Sequence, residues 1–472
     1  MILKTKGNLQ EEYLIKIVQS HKNKYVNSPH KNLETGIYIF HDREVRKPLS
    51  LIFTFLLIQL FASQGTLAKN SFDWTAFSSQ GEQAEYISEQ LKRWNNQTAD
   101  LRTKPLRVIY FHAKDREPLK NHLERWDGIL SDIKNFFHTE MKKLGYGEVT
   151  ISLEKENGKL KLHEFRGKEK DESYSYKSGS KIRGEVFEAL RAKGLDPDGE
   201  TLLIVCGLSK TEDKKVTIYS PYYGMGADHN RGICFTADME WLSIDGLKPD
   251  PQKITLQVKE HRGYEPFTLN RFNTVYIGGT IHELGHGLSL PHNLATKREE
   301  ISGTALMGAG NYTYRKEWRN QGKGSFLTHS SALRLLVHPL FNGDSNQSKE
   351  NPALTFKELT IEHNQESILI RGKIDAIIPA LAMIAYNDKE NKGQRGYMVN
   401  NNYDATSWTS VISPKNEFKI RIMDLRDGNH QIRLTSVHPN GATTTKRMHY
   451  SRKDGVFDFS KAQQEIKNIL AK

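Results

Sequence analysis

The stretch Thr280-Ile-His-Glu-Leu-Gly-His-Gly-Leu-Ser-Leu-Pro-His292 decides how this 472-residue chain is read. His282 and His286 are four residues apart, so on a helix both imidazoles leave one face toward a single point. Glu283 stands beside them, where a carboxylate can take a proton from a water held at that point. Ile277, Ile281, Leu284 and Leu288 recur at steps of four, three and four on the opposite side. That spacing predicts a helix with a metal face and a core face. Gly278, Gly279 and Gly285 each disfavour helix by about 1 kcal/mol relative to alanine, so packing rather than propensity must hold it. Gly287, Ser289 and Pro291 then stop the helix and turn the chain back, which brings His292 to the same point. Three neutral histidines with a fourth position left for water form the ligand set of a catalytic Zn2+ site, not of a closed structural one. Glu299 and Glu300 offer a carboxylate as an alternative third ligand; His292 is in register and is the simpler choice.

Around this helix the pattern alternates between strand and helix. Leu106 to Phe111 is a short apolar, β-favouring run, and Leu123, Trp126, Leu130, Ile133, Phe137, Met141 and Leu144 after it mark an amphipathic helix. Val149 to Leu153 and Lys159 to Phe165 read as a hairpin around Asn157-Gly158. A helix is expected over Lys181 to Ala192, ended by Gly194, and strands over Thr201–Val205, Val216–Tyr219 and Gly232–Thr236. The stretch Tyr219 to His229, rich in Tyr and Gly, reads as a loop, either an ordinary connection, the simpler reading, or one that lines a substrate cleft. His229 reads as a surface residue, and His329 and His338 have no assigned partners.

The motif resembles that of the metzincin clan of zinc metalloproteases, His-Glu-x-x-His-x-x-Gly-x-x-His followed by a methionine turn beneath the metal. His282, Glu283, His286 and His292 match in register, Ala305-Leu306-Met307-Gly308 looks like the methionine turn, and Leu327 to Leu336 looks like the closing helix. The resemblance covers residues 105 to 343, most strongly 274 to 312. It implies a five-stranded mixed sheet packed on helices, a cleft between two subdomains, a zinc cofactor, a protein or peptide substrate, and Glu283 as general base. Ser289 departs from the pattern, where the clan has glycine; a positive φ there would strain a serine by about 1 kcal/mol or more. The tyrosine that some clan families carry two residues after the methionine is here Ala309, which leaves Tyr312 and Tyr314 as candidates for an oxyanion or substrate contact.

Beyond the motif, residues 344–354 have the composition of a linker, and 355–472 carry short β-rich runs between turn signals, with a final helix from Ser460 to Leu470. That is the pattern of a small Ig-like β-sandwich. The expected organisation is therefore an α+β metzincin-like domain over 69–343 followed by an all-β sandwich. The sandwich is a candidate for glycan or cell-surface contact, or for bracing the catalytic half. At the other end, residues 49–62 form an apolar run of about 14 residues behind Arg43, Arg46 and Lys47, too short for a membrane span of about 20. With the small-residue exit at Thr66-Leu67-Ala68, residues 1–68 read as a leader and secretory signal, residues 1–44 arising from a start codon placed too early. The protein is expected to be secreted, periplasmic or at the cell surface, with no stable membrane span. A net charge of +12 comes from dispersed lysines, without a nucleic-acid motif, so no nucleic-acid partner is expected. Cys206 and Cys234 lie in strand-like segments and either pair or remain free thiols; neither has zinc-ligand spacing. Residues 69–104 hold no cysteine, which rules out a cysteine-switch latch there. The readings set against a peptidase are a non-catalytic adhesion protein on a degenerate protease scaffold and a zinc hydrolase of a non-protein substrate. Glu283 argues against the first, since zinc binding alone has no need of it.

Overall fold

The alternating elements build a mixed α/β layer structure followed by an antiparallel β-sandwich, seen here in a computed structural model that describes residues 72–97, 101–229, 231–260, 263–345, 347–390 and 404–471. The leader and signal reading of residues 1–68 lies outside these residues. After a 3-10 turn at Trp74–Phe77 come α1 (Gln80–Gln97), β1 (Arg107–His112), α2 (His122–Lys143), β2 (Leu162–Arg166) and α3 (Gly179–Ala192). Then follow β3 (Thr201–Cys206), β4 (Ser209–Glu212), β5 (Lys215–Ile218), β6 (Tyr223–Gly226), β7 (Gly232–Ala237), β8 (Thr255–Lys259), β9 (Glu265–Thr268) and α4 (Leu269–Gly287).

The principal sheet has the order β2-β1-β3-β7-β6, with β6 antiparallel at one edge and the other pairs parallel. Its central strands are covered on both faces, which is why β1 and β3 are apolar without alternation. On β1, Val108 and Tyr110 join the core shared with α2 and α4. Ile109 and Phe111 point the other way, onto the face that α3 covers with Ile182, Val186 and Leu190. The same parity settles the cysteines. Cys206 packs on the α3 side and Cys234 on the α4 side, and both are buried free thiols. A second sheet, β9-β8-β5-β4, leads directly into α4.

The expected hairpin over residues 149–165 is mostly absent. Asn157 and Gly158 do turn the chain, with φ of 53° and 80°. They join only Lys155–Glu156 to Lys159–Leu160, while Leu162–Arg166 runs parallel to β1. Of residues 149–153, only Leu153 pairs, in a single bridge to Leu106. The open edge of β1 offers a longer ladder than the local turn does, and it wins.

After α5 (His329–Leu336) the sandwich comprises β10 (Thr355–His363), β11 (Ile368–Asp375), β12 (Ala382–Lys389), β13 (Thr406–Val411), β14 (Glu417–Ile422), β15 (Gly428–Val437), β16 (Thr443–Lys453) and β17 (Val456–Asp458), followed by α6 (Ser460–Leu470). Its sheets are β10-β11-β14 and β13-β12-β15-β16-β17. β12 is buried on both sides. Met383 and Ala385 enter the sandwich core, whereas Ala382, Ile384 and Tyr386 enter the core that also holds α2 and α4. Phe72–Lys472 accordingly cluster as one compact unit, and Asp344, in the expected linker, pairs back with Arg102. Among the described residues no helix is long and apolar enough to cross a membrane.

Candidate metal centre

Thr268 caps the start of α4 by accepting the Arg271 amide at 3.2 Å. Packing then holds the glycine-rich helix, as the sequence requires. Gly279 faces the Tyr222 hydroxyl, Gly278 the Asn311 backbone and Gly285 the Met307 Sδ, each too closely for a Cβ. The helix ends in two bonds of the Schellman type, Ser289 N to His286 O and Leu290 N to Gly285 O, both 2.9 Å. Ser289 takes the left-handed conformation at φ 63°. Its hydroxyl donates to Asp228 O at 2.6 Å, which offsets a strain of about 1 kcal/mol with a bond of similar worth.

This turn brings the three histidines together. One ring nitrogen from each of His282, His286 and His292 lies within 4.8 Å of the other two, and the Nε2 atoms of His286 and His292 are 3.0 Å apart. Tetrahedral zinc with bonds of about 2.0–2.1 Å needs ligand nitrogens roughly 3.3 Å apart, so the trio fits that ion. Two backbone carbonyls fix the tautomers. His282 Nδ1 lies 2.7 Å from Leu306 O and His286 Nδ1 2.9 Å from Leu290 O. A carbonyl only accepts, so each Nδ1 carries the proton and each Nε2 is left bare, the form a metal takes. Burial pushes His282 down to about 4, helped by His286 beside it, and pushes His286 down as well. Both are therefore neutral near pH 7.

Glu283 is half-buried on the side of α4 that meets β6, where it accepts the Gly224 amide at Oε2, 2.8 Å away. Burial pushes its carboxyl up to about 7, and the Gly224 N–H opposes that rise. A carboxyl of this kind both accepts and returns a proton near neutrality. The stretch Tyr219 to His229, read as a loop, thus contains an edge strand, β6, seated on the metal helix. Its Gly-rich sequence carries no β-propensity signal, which is why the sequence hides it.

Met307 packs with its Sδ against Gly285, and Leu306 O, next to it in the chain, meets His282 Nδ1. The two candidate tyrosines lie elsewhere. Tyr314 is fully buried and donates to Asp132 Oδ2 at 2.7 Å, within a cluster that also pairs Asp132 with Arg315. Tyr312 is 59% exposed and lines a cavity beside Arg271, Thr274 and Val275, on the first half of α4. Val275 precedes His282 by about 10 Å of helix. Glu299 is engaged by the Thr296 amide and hydroxyl at 3.0 and 2.8 Å, so it caps a turn. His229 bonds Ser348 O at 2.5 Å, and His329 and His338 are buried. The sequence also gave no sign of Asn293, next to the third ligand. Its amide nitrogen stands 2.7, 3.0 and 3.1 Å from the hydroxyls of Thr328, Ser330 and Ser407.

No protein-family model matches this chain, and no curated protein matches it. Solved structures do. Wild-type OgpA from Akkermansia muciniphila shares the fold with a TM-score of 0.61 and 26% identity, over 75% of this chain and 94% of that one. A second crystal form of wild-type OgpA gives the same score and identity. So does catalytically inactive OgpA in complex with an O-glycopeptide substrate, glycodrosocin, again over 75% of this chain and 94% of OgpA. The similarity therefore spans nearly all of OgpA, and the fold is OgpA-like.

Proposed function

We propose that this chain is a secreted, zinc-dependent endopeptidase of the metzincin type that acts on O-glycosylated peptides. The observation that carries the reading is the meeting of three metal-competent histidines with a half-buried, near-neutral carboxyl, on a fold shared with a protein solved in complex with an O-glycopeptide substrate. Zinc bound there supplies a Lewis acid for the scissile carbonyl and acidifies a water to a pKa of about 7. Leu306 O and Leu290 O keep the rings of His282 and His286 turned toward one point. Glu283, aligned by the Gly224 amide, accepts the proton of the attacking water and then delivers it to the leaving amine. Among the described residues no strand pairs with the outer edge of β6, which supports an extended peptide lying along it. Export rests on the signal-like segment of residues 1–68, and N-terminal sequencing of the natural product tests it.

The deciding experiment compares the full chain with Glu283→Gln for bound zinc and for cleavage of glycodrosocin and its unglycosylated peptide. The expected result is about one zinc per chain in both proteins. Glycopeptide cleavage should belong to the parent and fall by about 10²–10⁴ in the variant. Equal cleavage of the bare peptide would remove the glycan requirement. A folded chain without zinc would remove the metal site itself.

A further inference from the structure

A groove of about 600 Å³ opens on the side of the molecule where the two sandwich sheets end, and no metal ligand lines it. Its walls are the edge strands β13 and β14, the turn at Trp74–Phe77 with the start of α1, and the segment that follows His292. The volume falls within the range of small-ligand sites, roughly 300–1,000 Å³.

Three features of the lining point to one class of ligand. The first is aromatic: Trp74, Phe77 and Trp408 all line the groove. The Trp74–Phe77 turn is rigid, since Asp73 caps it through the Thr75 amide at 2.9 Å and Phe72 packs on Trp74 and Phe77 with centroids 4.8 and 5.1 Å away. Flat rings held in place match the C–H faces of pyranose sugars, as they match any flat amphipathic ligand. The second is a row of fixed polar groups. The Thr409 hydroxyl is held by Gln83 at 2.8 Å and Ser407 by Ser330 at 2.7 Å. Buried His329, which also lines the groove, bonds Tyr146 through Nε2 at 3.2 Å, while its Nδ1 has no hydrogen-bond partner among the described residues. The third is charge. Arg298 and Lys419 line the groove, and no ion pair or side-chain hydrogen bond engages either among the described residues; Arg421 bonds only a hydroxyl, Ser367 Oγ at 2.8 Å. The carboxylate of the lining, Asp424, already accepts the Lys297 amide at 2.9 Å.

We infer that this groove is a lectin-like site for an acidic saccharide, its sugar faces on Trp74 and Trp408 and its acid group between Arg298, Lys419 and Arg421. It is a second site, and it does not depend on the peptidase reading, because neither Glu283 nor any of the three histidines takes part. A neutral sugar would leave the cations without a role. An acidic peptide would leave the aromatic rings and hydroxyls without one.

The test uses the full chain and follows tryptophan fluorescence and saturation-transfer NMR with 3′-sialyllactose, 3′-sulfolactose, lactose and a tetraglutamate peptide. At least one of the two acidic sugars should bind saturably, and the one that binds identifies the acid as carboxylate or sulfate. Lactose should bind about tenfold more weakly, and Arg298→Ala/Lys419→Ala should weaken the acidic sugar by about the same factor, as expected for two partly exposed ion pairs. Both substitutions are on exposed side chains, so the variant should fold, and Trp74→Ala provides a second, uncharged probe of the same site. The inference is overturned if neither acidic sugar saturates, if lactose binds equally well, if tetraglutamate binds as tightly, or if binding survives both variants.

Discussion

Replacing Gly224 with alanine tests whether β6 tunes the site rather than merely lying beside it. A Cβ built at Gly224 falls 1.7 Å from the Glu283 carbonyl oxygen and 2.6 Å from its carbon, both backbone atoms of the ligand helix. An ordinary contact needs about 3.4 Å or more, so the strand must withdraw by well over an ångström. The 2.8 Å bond from Gly224 N to Glu283 Oε2 then breaks. A hydrogen bond to a charged group is worth about 1.5–3 kcal/mol, which corresponds to a loss of roughly 10- to 150-fold in kcat/KM if the bond orients the base. The loss carries a pH signature. The Gly224 amide is the group that opposes burial and keeps Glu283 from rising above about 7. Without it the carboxyl rises further, and less of it is ionised at pH 7. The acidic limb of kcat/KM must therefore move to higher pH, and raising the pH should recover part of the activity. The assay is a pH profile on a cleaved O-glycopeptide with zinc content measured alongside, since the ligands themselves are untouched. Activity within about twofold of the parent at full zinc occupancy would refute the role given to β6. A uniform loss with an unmoved acidic limb would reduce it to a structural role.

Three further outcomes follow from the packing around the site. Tyr314→Phe leaves buried Asp132 short of one donor and should lower stability by about 1–3 kcal/mol in denaturant unfolding, whereas Tyr312→Phe, on an exposed side chain, should stay within about 0.5. Asn293→Ala should weaken zinc about 10- to 100-fold in a competition titration with a chelator, and unchanged affinity would show that the hydroxyl cluster does not position His292. Burial holds His329 and His438 down to about 4 and His338 to about 3, so each takes up a proton on unfolding between that value and the ordinary 6.5; stability is complete above pH 6.5 and falls as the pH drops toward 4. His338→Asn, which keeps an acceptor for the Leu340 amide, should lessen the fall in Tm between pH 7 and 4.5, and parallel curves for the two proteins would refute that assignment.

What the sequence disclosed was local, and what it hid was pairing. The ligand helix could be read because its chemistry lies at helical spacing, and the turn after it because Gly287, Ser289 and Pro291 place breakers at every second position. The run from Ala380 to Tyr386 was recognisable as a strand, yet its lack of alternation has a cause beyond its own sequence: β12 divides its side chains between two cores. β6 escaped notice because close approach chose its residues. Gly224 and Gly226 are required by the backbone of Glu283 and the side chain of Ser289, and neither favours a strand. β16 was missed for a different reason. Most of its positions are only partly buried, so its apolar residues are too sparse to mark a period. The failed hairpin shows the same limit from the other side, since a sound turn signal at Asn157-Gly158 cannot reveal that β1 has an edge to fill.

The sandwich bears on the metal site through the residue after its third ligand. Asn293 reaches Thr328 and Ser330 at the start of α5 and Ser407 on β13, and Leu294 N donates to Ala405 O at 2.6 Å. His282 and His286 are fixed on a packed helix, but His292 lies beyond a Schellman turn on a segment without regular structure. Such a segment keeps a ring within a few tenths of an ångström only if something rigid holds both its ends. One end is the helix turn, where Ser289 meets Asp228. The other is β13, whose sandwich sheet β13-β12-β15-β16-β17 shares the core of α2 and α4 through Ile384, Tyr386 and Val411. The sandwich therefore acts as a brace for the third ligand whatever else it binds. The groove beside Trp408 lies on that same strand, and Ser407, which meets the Asn293 amide, is part of its lining.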